Sequence, residues 1–154
     1  MFLCFGLIYF KKIGMMSDYK EVFMSGIERS ITTIAPPKKV WRSWAQMQTW
    51  SSGTGKSAFK VGYKGQISPQ RGKPIPFKIV DIDKNKSFTM IWYARFVKLV
   101  FKHSVEQNGK GSLIHCNVKF KGILGPVVRL FIGKRIKEQV DQSLSQFVYQ
   151  VENY

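Results

Sequence analysis

The apolar periodicity between Leu124 and Tyr154 constrains this chain more than any other feature. Leu124, Val128, Phe131, Ile132, Ile136, Val140, Leu144, Phe147 and Val151 recur at spacings of three or four, and Lys134, Lys137, Glu138, Asp141, Gln142 and Ser145 fall between them. Residues three and four apart share one face of an α-helix, so the pattern predicts a single long amphipathic helix. Gly125 and Pro126 stand where a helix start tolerates them. Gly133, inside the run, costs roughly 1 kcal/mol relative to Ala, which implies close packing against a neighbour. The stripe is too wide for a helix resting in water and requires a large partner surface.

That partner is encoded upstream, where most of Gly26 to Gly122 alternates with the period of two that marks half-buried strands. Phe23 to Ile34 is the first strand candidate. Ala35-Pro36-Pro37 ends it, and the second proline suits a first helical position; Val40, Trp41, Trp44 and Met47 then predict a short helix from about Pro37 to Met47. Trp41, Trp44 and Trp50 are read as packing, since large aromatics carry the most burial per residue. Phe59, Val61, Tyr63 and Ile67 oppose Lys60, Lys64 and Gln66, with Gly65 marking a bulge. Ile75, Phe77 and Ile79 oppose Lys78, and Phe88, Met90 and Trp92 oppose Thr89, Ile91 and Tyr93. Val97, Leu99, Phe101, His103 and Val105 alternate with Lys98, Lys102, Ser104 and Glu106. A turn holding Asn108 and Gly109 signals a hairpin, and the last strand sets Ile114, Cys116, Val118 and Phe120 against His115, Asn117, Lys119 and Lys121.

The fold class that follows is α+β, a curved antiparallel sheet whose apolar side is covered by the long C-terminal helix. The side carrying Lys60, Lys64, Lys78, Lys98, Lys102, Lys119 and Lys121 faces water. At 154 residues the chain fits one domain with a sizeable core, placed at residues 21–154 behind a loose tail at 1–20. The tail begins with apolar Met1 to Phe10 ahead of Lys11 and Lys12. Ten residues at about 1.5 Å each span half a hydrocarbon core, and the charge order is reversed for a signal peptide. Two readings of residues 1–14 stay open: an extension upstream of a true start at Met15 or Met16, or a reversible interfacial anchor.

The formal charge is +16, from 25 basic and 9 acidic residues. No acid lies between Glu28 and Asp81 or between Glu106 and Glu138, so the surface attracts anionic membrane, nucleic acid or acidic partners. Two cysteines give no disulfide framework and suit a cytoplasmic protein. Gly53-Thr54-Gly55-Lys56-Ser57 imitates a phosphate loop, but Trp50 stands where that loop needs its first glycine, and the run follows a helix and enters a strand. It is read as a connection.

With these elements in place the chain resembles the polyketide cyclase/dehydrase and lipid-transfer superfamily, whose members share the helix-grip fold of START domains and the birch pollen allergen. The likeness runs from about Ile27 to Val151. It rests on Ala35-Pro36-Pro37 before Val40-Trp41, on Trp50, on Phe59-Lys60-Val61-Gly62 with Gly65, and on Phe77-Lys78-Ile79-Val80 with Lys86-Ser87-Phe88. His103 within a strand, Gly111 entering the next, and Gly122 with Gly125-Pro126 before the terminal helix complete it. Such domains wrap a seven-stranded sheet around the helix and leave an apolar cavity between the two. Here only eight residues separate Trp50 from Phe59, where the superfamily has a longer connection, so the second strand is expected to be very short or missing.

Chemistry is sparse. Inward-pointing His103 is the one candidate for proton transfer or for orienting a ligand, and a buried histidine hydrogen-bonded for structural reasons is the preferred reading over a catalytic one. No paired carboxylates converge, and two histidines on opposite faces with Cys116 supply no metal site; neither metal nor cofactor is expected. Tyr63, Phe77, Phe88, Met90, Trp92, Phe101, His103, Phe120 and Phe131 are the expected ligand-contacting set. The leading expectation is binding or transport of a small hydrophobic or lipid-like ligand between sheet and helix. The alternatives are a polyketide cyclase- or dehydratase-like enzyme using the same pocket, and a cationic-surface module for anionic membrane or RNA. Specific nucleic-acid recognition is disfavoured because the outward sets offer little aromatic surface beyond Tyr93.

Overall fold

The computed structural model describes residues 26–47, 58–67 and 73–154. The expected tail and its boundary at residue 20, the Gly/Ser-rich run, and Trp50 lie outside them. The elements are β1 (Ile27–Thr33), α1 (Pro37–Ala45), β2 (Lys64–Ile67), β3 (Ile75–Asp83), β4 (Ser87–Ala94), β5 (Val97–Asn108), β6 (Gly111–Lys121) and α2 (Gly125–Asn153). The six strands form one antiparallel sheet in the order β1-β6-β5-β4-β3-β2. The sheet wraps around α2, which lies chiefly against β1 and β6. This is the expected α+β architecture with a short second strand of four residues.

Alternation predicted the inner face well. Phe77, Ile79, Phe88, Met90, Leu99, Phe101, Val105, Ile114, Cys116 and Val118 are all buried in one core. Three local readings need correction. The strand expected from Phe59 begins only at Lys64, because Gly62 at φ +88° turns the chain and the Tyr63 N–H closes that turn on the Lys60 carbonyl at 3.1 Å; Val61 is consequently 57% exposed. Gly65 makes no bulge and pairs in register with Phe77, whose ring lies 2.6 Å from where a Cβ would stand. The bulge falls at Val80 instead, where the register of β3 on β4 shifts between Ile79 and Asp81.

The long helix forms, but apart from Gly125 at its start it is buried only from Ile136 onward. Ile136, Val140, Leu144, Phe147 and Val151 face the sheet, whereas Leu124 and Phe131 are 41% and 83% exposed. The reason is geometric. At about 100° per residue a spacing of four advances the stripe by about 40°, so five such steps from Leu124 to Leu144 carry it through about 200°. A straight helix cannot press both ends of such a spiral against one sheet. Two polar links fix which end wins: Arg29 on β1 pairs with Asp141, and Glu152 accepts from the Thr33 hydroxyl at 2.8 Å and the Ile34 N–H at 3.1 Å.

Close packing at Gly133, expected from its cost, is absent. A Cβ there would meet only the Cγ of Arg129, at an ordinary 3.5 Å. Gly133→Ala is therefore expected to stabilise the protein by about 1 kcal/mol through helix propensity alone, read as a higher urea midpoint at unchanged slope.

Candidate functional site

Both helices and strands β2, β4, β5 and β6 contribute to one site on the helix-covered side of the sheet. α1 starts at Pro37 in its first turn and buries Val40, Trp41 and Trp44. Trp44 stacks on Phe147 of α2 at 5.7 Å between ring centroids and meets Phe88 of β4 edge-on at 5.3 Å. Trp41 and Phe88 each contact Phe59 edge-on, at 5.6 and 5.2 Å. This aromatic cluster bridges α1, α2 and β4, and its Trp44, Phe88 and Phe147 line a half-open cavity of about 300 Å³. The sheet contributes Ile67, Phe88, Met90, Trp92, Phe101, His103 and Cys116 to its wall. The helical side contributes Trp44, Met47 and, from α2, Ile136, Gln139, Val140, Ser143, Leu144 and Phe147.

Five of the nine residues expected to contact a ligand lie in this wall: Phe88, Met90, Trp92, Phe101 and His103. The other four lie elsewhere, each for a local reason. Phe77, opposite Trp92 in the ladder, is buried beneath Gly65, and the Tyr63 ring packs on it at 6.0 Å, so the two rings meet each other at β2 and β3 and not the cavity. Phe120 sits opposite Leu99 near the start of α2, where its backbone crowds Gly125. Phe131 points into solvent because the helical stripe has rotated away from the sheet.

His103 stacks face to face on Phe88 with centroids 4.7 Å apart and planes 8° from parallel. Its Nε2 lies 3.5 Å from the Cys116 sulfur, directly across the β5–β6 ladder. Burial pushes the His103 pKa down from 6.5 to about 4 and the Cys116 thiol up to about 12. At neutral pH the pair is thus an uncharged imidazole beside an uncharged thiol, with neither a strong base nor a thiolate. Among the described residues His103 Nδ1 and Trp92 Nε1 are buried with no hydrogen-bond partner, and the indole nitrogen can only donate. Such groups are normally satisfied by an ordered water or by a ligand atom. Among the described residues no three His, Cys, Asp or Glu side chains converge as metal ligands, and no helix is long and apolar enough to cross a membrane. His115, expected to face outward, reaches Glu106 on the outer side at 3.2 Å.

The architecture is that of a container, a curved sheet closed by a helix around an apolar space. No protein-family model and no curated protein matches the sequence. Solved structures do match. Ara h 8.0201 is 16% identical with a TM-score of 0.65, over 85% of this chain and 99% of its own. DynU16, from the dynemicin biosynthetic locus, is 10% identical with a TM-score of 0.66, over 84% of this chain and 48% of its own length. TTHA0849 from Thermus thermophilus is 14% identical with a TM-score of 0.56, over 82% of this chain and 96% of its own. The chain has the helix-grip fold of START domains and the birch pollen allergen.

Proposed function

We propose that the protein binds a small hydrophobic or lipid-like molecule in the cavity between sheet and α2. The supporting observation is the cavity wall, which is apolar except for a few groups and contains two buried polar atoms without partners among the described residues. Its volume of about 300 Å³ is at the low end for small-molecule sites and amounts to about ten waters at ~30 Å³ each. A ligand of one or two rings, or a short acyl chain, suits that space, and one bearing a carbonyl or ether oxygen would also satisfy the Trp92 N–H. Catalysis asks more of the site than binding does: a histidine held neutral down to about pH 4 is a weak base, and a thiol near 12 is a poor nucleophile. The free, buried Cys116 thiol suits a reducing cytoplasm.

The test uses a neutral fluorescent probe, N-phenyl-1-naphthylamine, with a variant that fills the cavity from its rim. Ser143 is exposed on α2 yet contributes to the wall, so Ser143→Trp can lay its indole into the space without rebuilding the core. The expected result is saturable probe fluorescence in the parent and an affinity at least tenfold weaker in Ser143→Trp, with the thermal midpoint nearly unchanged. Absence of saturable binding, or equal affinity in the variant, would remove the cavity as the ligand site.

A further inference from the structure

The end of the molecule where β6 hands over to α2 carries apolar side chains that nothing among the described residues covers. Ile123 is 97% exposed, Leu130 79%, Phe131 83% and Phe96 67%, with Leu124 and Val127 also open. Phe96 belongs to the two-residue turn joining β4 to β5, and its carbonyl lies 3.0 Å from where a Cβ on Gly122 would stand, so that turn and the β6–α2 loop adjoin. Basic side chains flank the apolar set: Arg95, Lys98, Lys121, Lys134 and Arg135 are all exposed. The sole acid from residue 84 to residue 137 is Glu106, held on the outer face by His115 near the opposite end of β5.

Two details set this end apart from a chance surface. Phe96 has φ +66°, a left-handed conformation that glycine or asparagine adopts readily at a turn and a bulky aromatic does not. The fold holds that ring out at a cost in stability. Lys98 lies directly opposite Lys121 in the ladder, a like-charge pair that disfavours strand pairing. Both features oppose folding, and both become favourable against a surface that is apolar inside and anionic outside.

We propose that this end docks reversibly on an anionic lipid bilayer, with Phe96, Ile123, Leu124, Val127, Leu130 and Phe131 entering the headgroup boundary and the cations meeting lipid phosphates and carboxylates. A second copy of this chain would bring like-charged rims together. Single-stranded RNA would require aromatic platforms, whereas four of the six exposed side chains are aliphatic. No residue of the docking face contributes to the cavity wall, so docking stands or falls separately from ligand binding.

Sedimentation of the full chain with vesicles tests it. The parent is expected to pellet with phosphatidylcholine–phosphatidylserine vesicles and to remain in the supernatant with phosphatidylcholine alone, and salt should release it. Ile123→Ser/Leu130→Ser/Phe131→Ser should bind at least fiftyfold more weakly with an unchanged thermal midpoint, because all three side chains are already in water. Lys98→Ala/Lys121→Ala should lose on the order of fivefold per cation. Phe96→Gly is the most discriminating variant: it should lower vesicle affinity about tenfold while raising the thermal midpoint, since the turn strain goes with the ring. The proposal is overturned if the parent ignores anionic vesicles or if the triple Ser variant binds as the parent does. It is also overturned if the same substitutions instead abolish a dimer seen by light scattering or the binding of a single-stranded RNA.

Discussion

Acidification from pH 7 to pH 4 is expected to remove about 3 kcal/mol of folding stability through His103 alone. Its pKa is about 4 in the folded protein against 6.5 for an unburdened imidazole, and burial is the cause. Between those values the unfolded chain takes up a proton that the folded chain refuses. Stability is therefore intact above about pH 6.5, declines as pH falls toward 4, and levels off once both states are protonated; 2.5 pH units at about 1.4 kcal/mol each set the size. Among the described residues the imidazole is faced by Phe88, Trp44 and the Cys116 thiol, and none of these is a carboxylate that could rescue the charge. Glu152, held below its ordinary 4.5 by bonds from Thr33 and Ile34, loses its contribution only as pH falls below that ordinary value, so the upper part of the window belongs to the histidine. Urea unfolding across pH 4 to 8 measures the effect. His103→Phe, which keeps the stack on Phe88, should flatten the curve between pH 6.5 and 4.5. A parent curve already flat there would mean that the imidazole gains a proton inside the fold, and its neutral role in the cavity would fail with it.

How much of this was legible in the sequence depended on the range of the interaction that decides each feature. Period-two alternation is local, and it directed Phe88, Met90, Trp92, Phe101 and His103 inward, where the cavity wall has them. Strand register is less local. Cys116 lies opposite His103 because the hairpin turn is Gly109-Lys110, with Asn108 pairing Gly111 and Gly109 at φ +58°. Had Asn108-Gly109 been the central pair, the favoured sequence for a tight turn, Ile114 would have opposed His103. A two-residue slip of that kind keeps every side chain on its own face, so alternation cannot reveal it.

The helical half of the site was hidden for another reason. A stripe of four-residue spacings spirals, and nothing within α2 says which arc of the spiral meets the sheet. Links from Arg29 to Asp141 and from Thr33 to Glu152 decide it, and they join residues more than a hundred positions apart. Phe131 lies off the wall, and Ile136, Gln139, Val140, Ser143 and Leu144 lie on it without appearing in the expected set, for the same reason. Trp44 was recognised as packing and is also wall, since the side chain that bridges α1 and α2 also lines the cavity. A cavity in this fold is what remains between elements, and periodicity describes elements.

The corner joining β1 to α1 fixes where Trp44 stands, and Gly111→Ala is expected to break it, at about 3 kcal/mol or more, the upper end of overpacking costs. A Cβ on Gly111 would lie 2.0 Å from the Thr33 carbonyl oxygen and 3.0 Å from the Ile34 Cα, both backbone atoms. Neither is free to retreat. Thr33 pairs with Ser112 in the ladder, and the fully buried Ser112 hydroxyl donates to the Ala35 carbonyl at 2.6 Å. The Ala35 N–H donates to the Thr33 hydroxyl oxygen at 3.2 Å, and that hydroxyl and the Ile34 N–H both donate to Glu152. Relieving the clash means stretching this set of bonds or moving β1 off β6, and α1 begins only two residues beyond Ala35. Gly109 supplies the control: its φ is +58° but nothing lies within 4 Å of an added Cβ, so Gly109→Ala should cost only the turn strain, about 1–2 kcal/mol. Urea midpoints rank the two. In Gly111→Ala, N-phenyl-1-naphthylamine affinity should fall even where the protein remains folded, because Trp44 moves with the corner, whereas Gly109→Ala should bind the probe as the parent does. A Gly111→Ala protein as stable as the parent would show that the corner can slide, and the corner would then not fix the Trp44 part of the cavity wall.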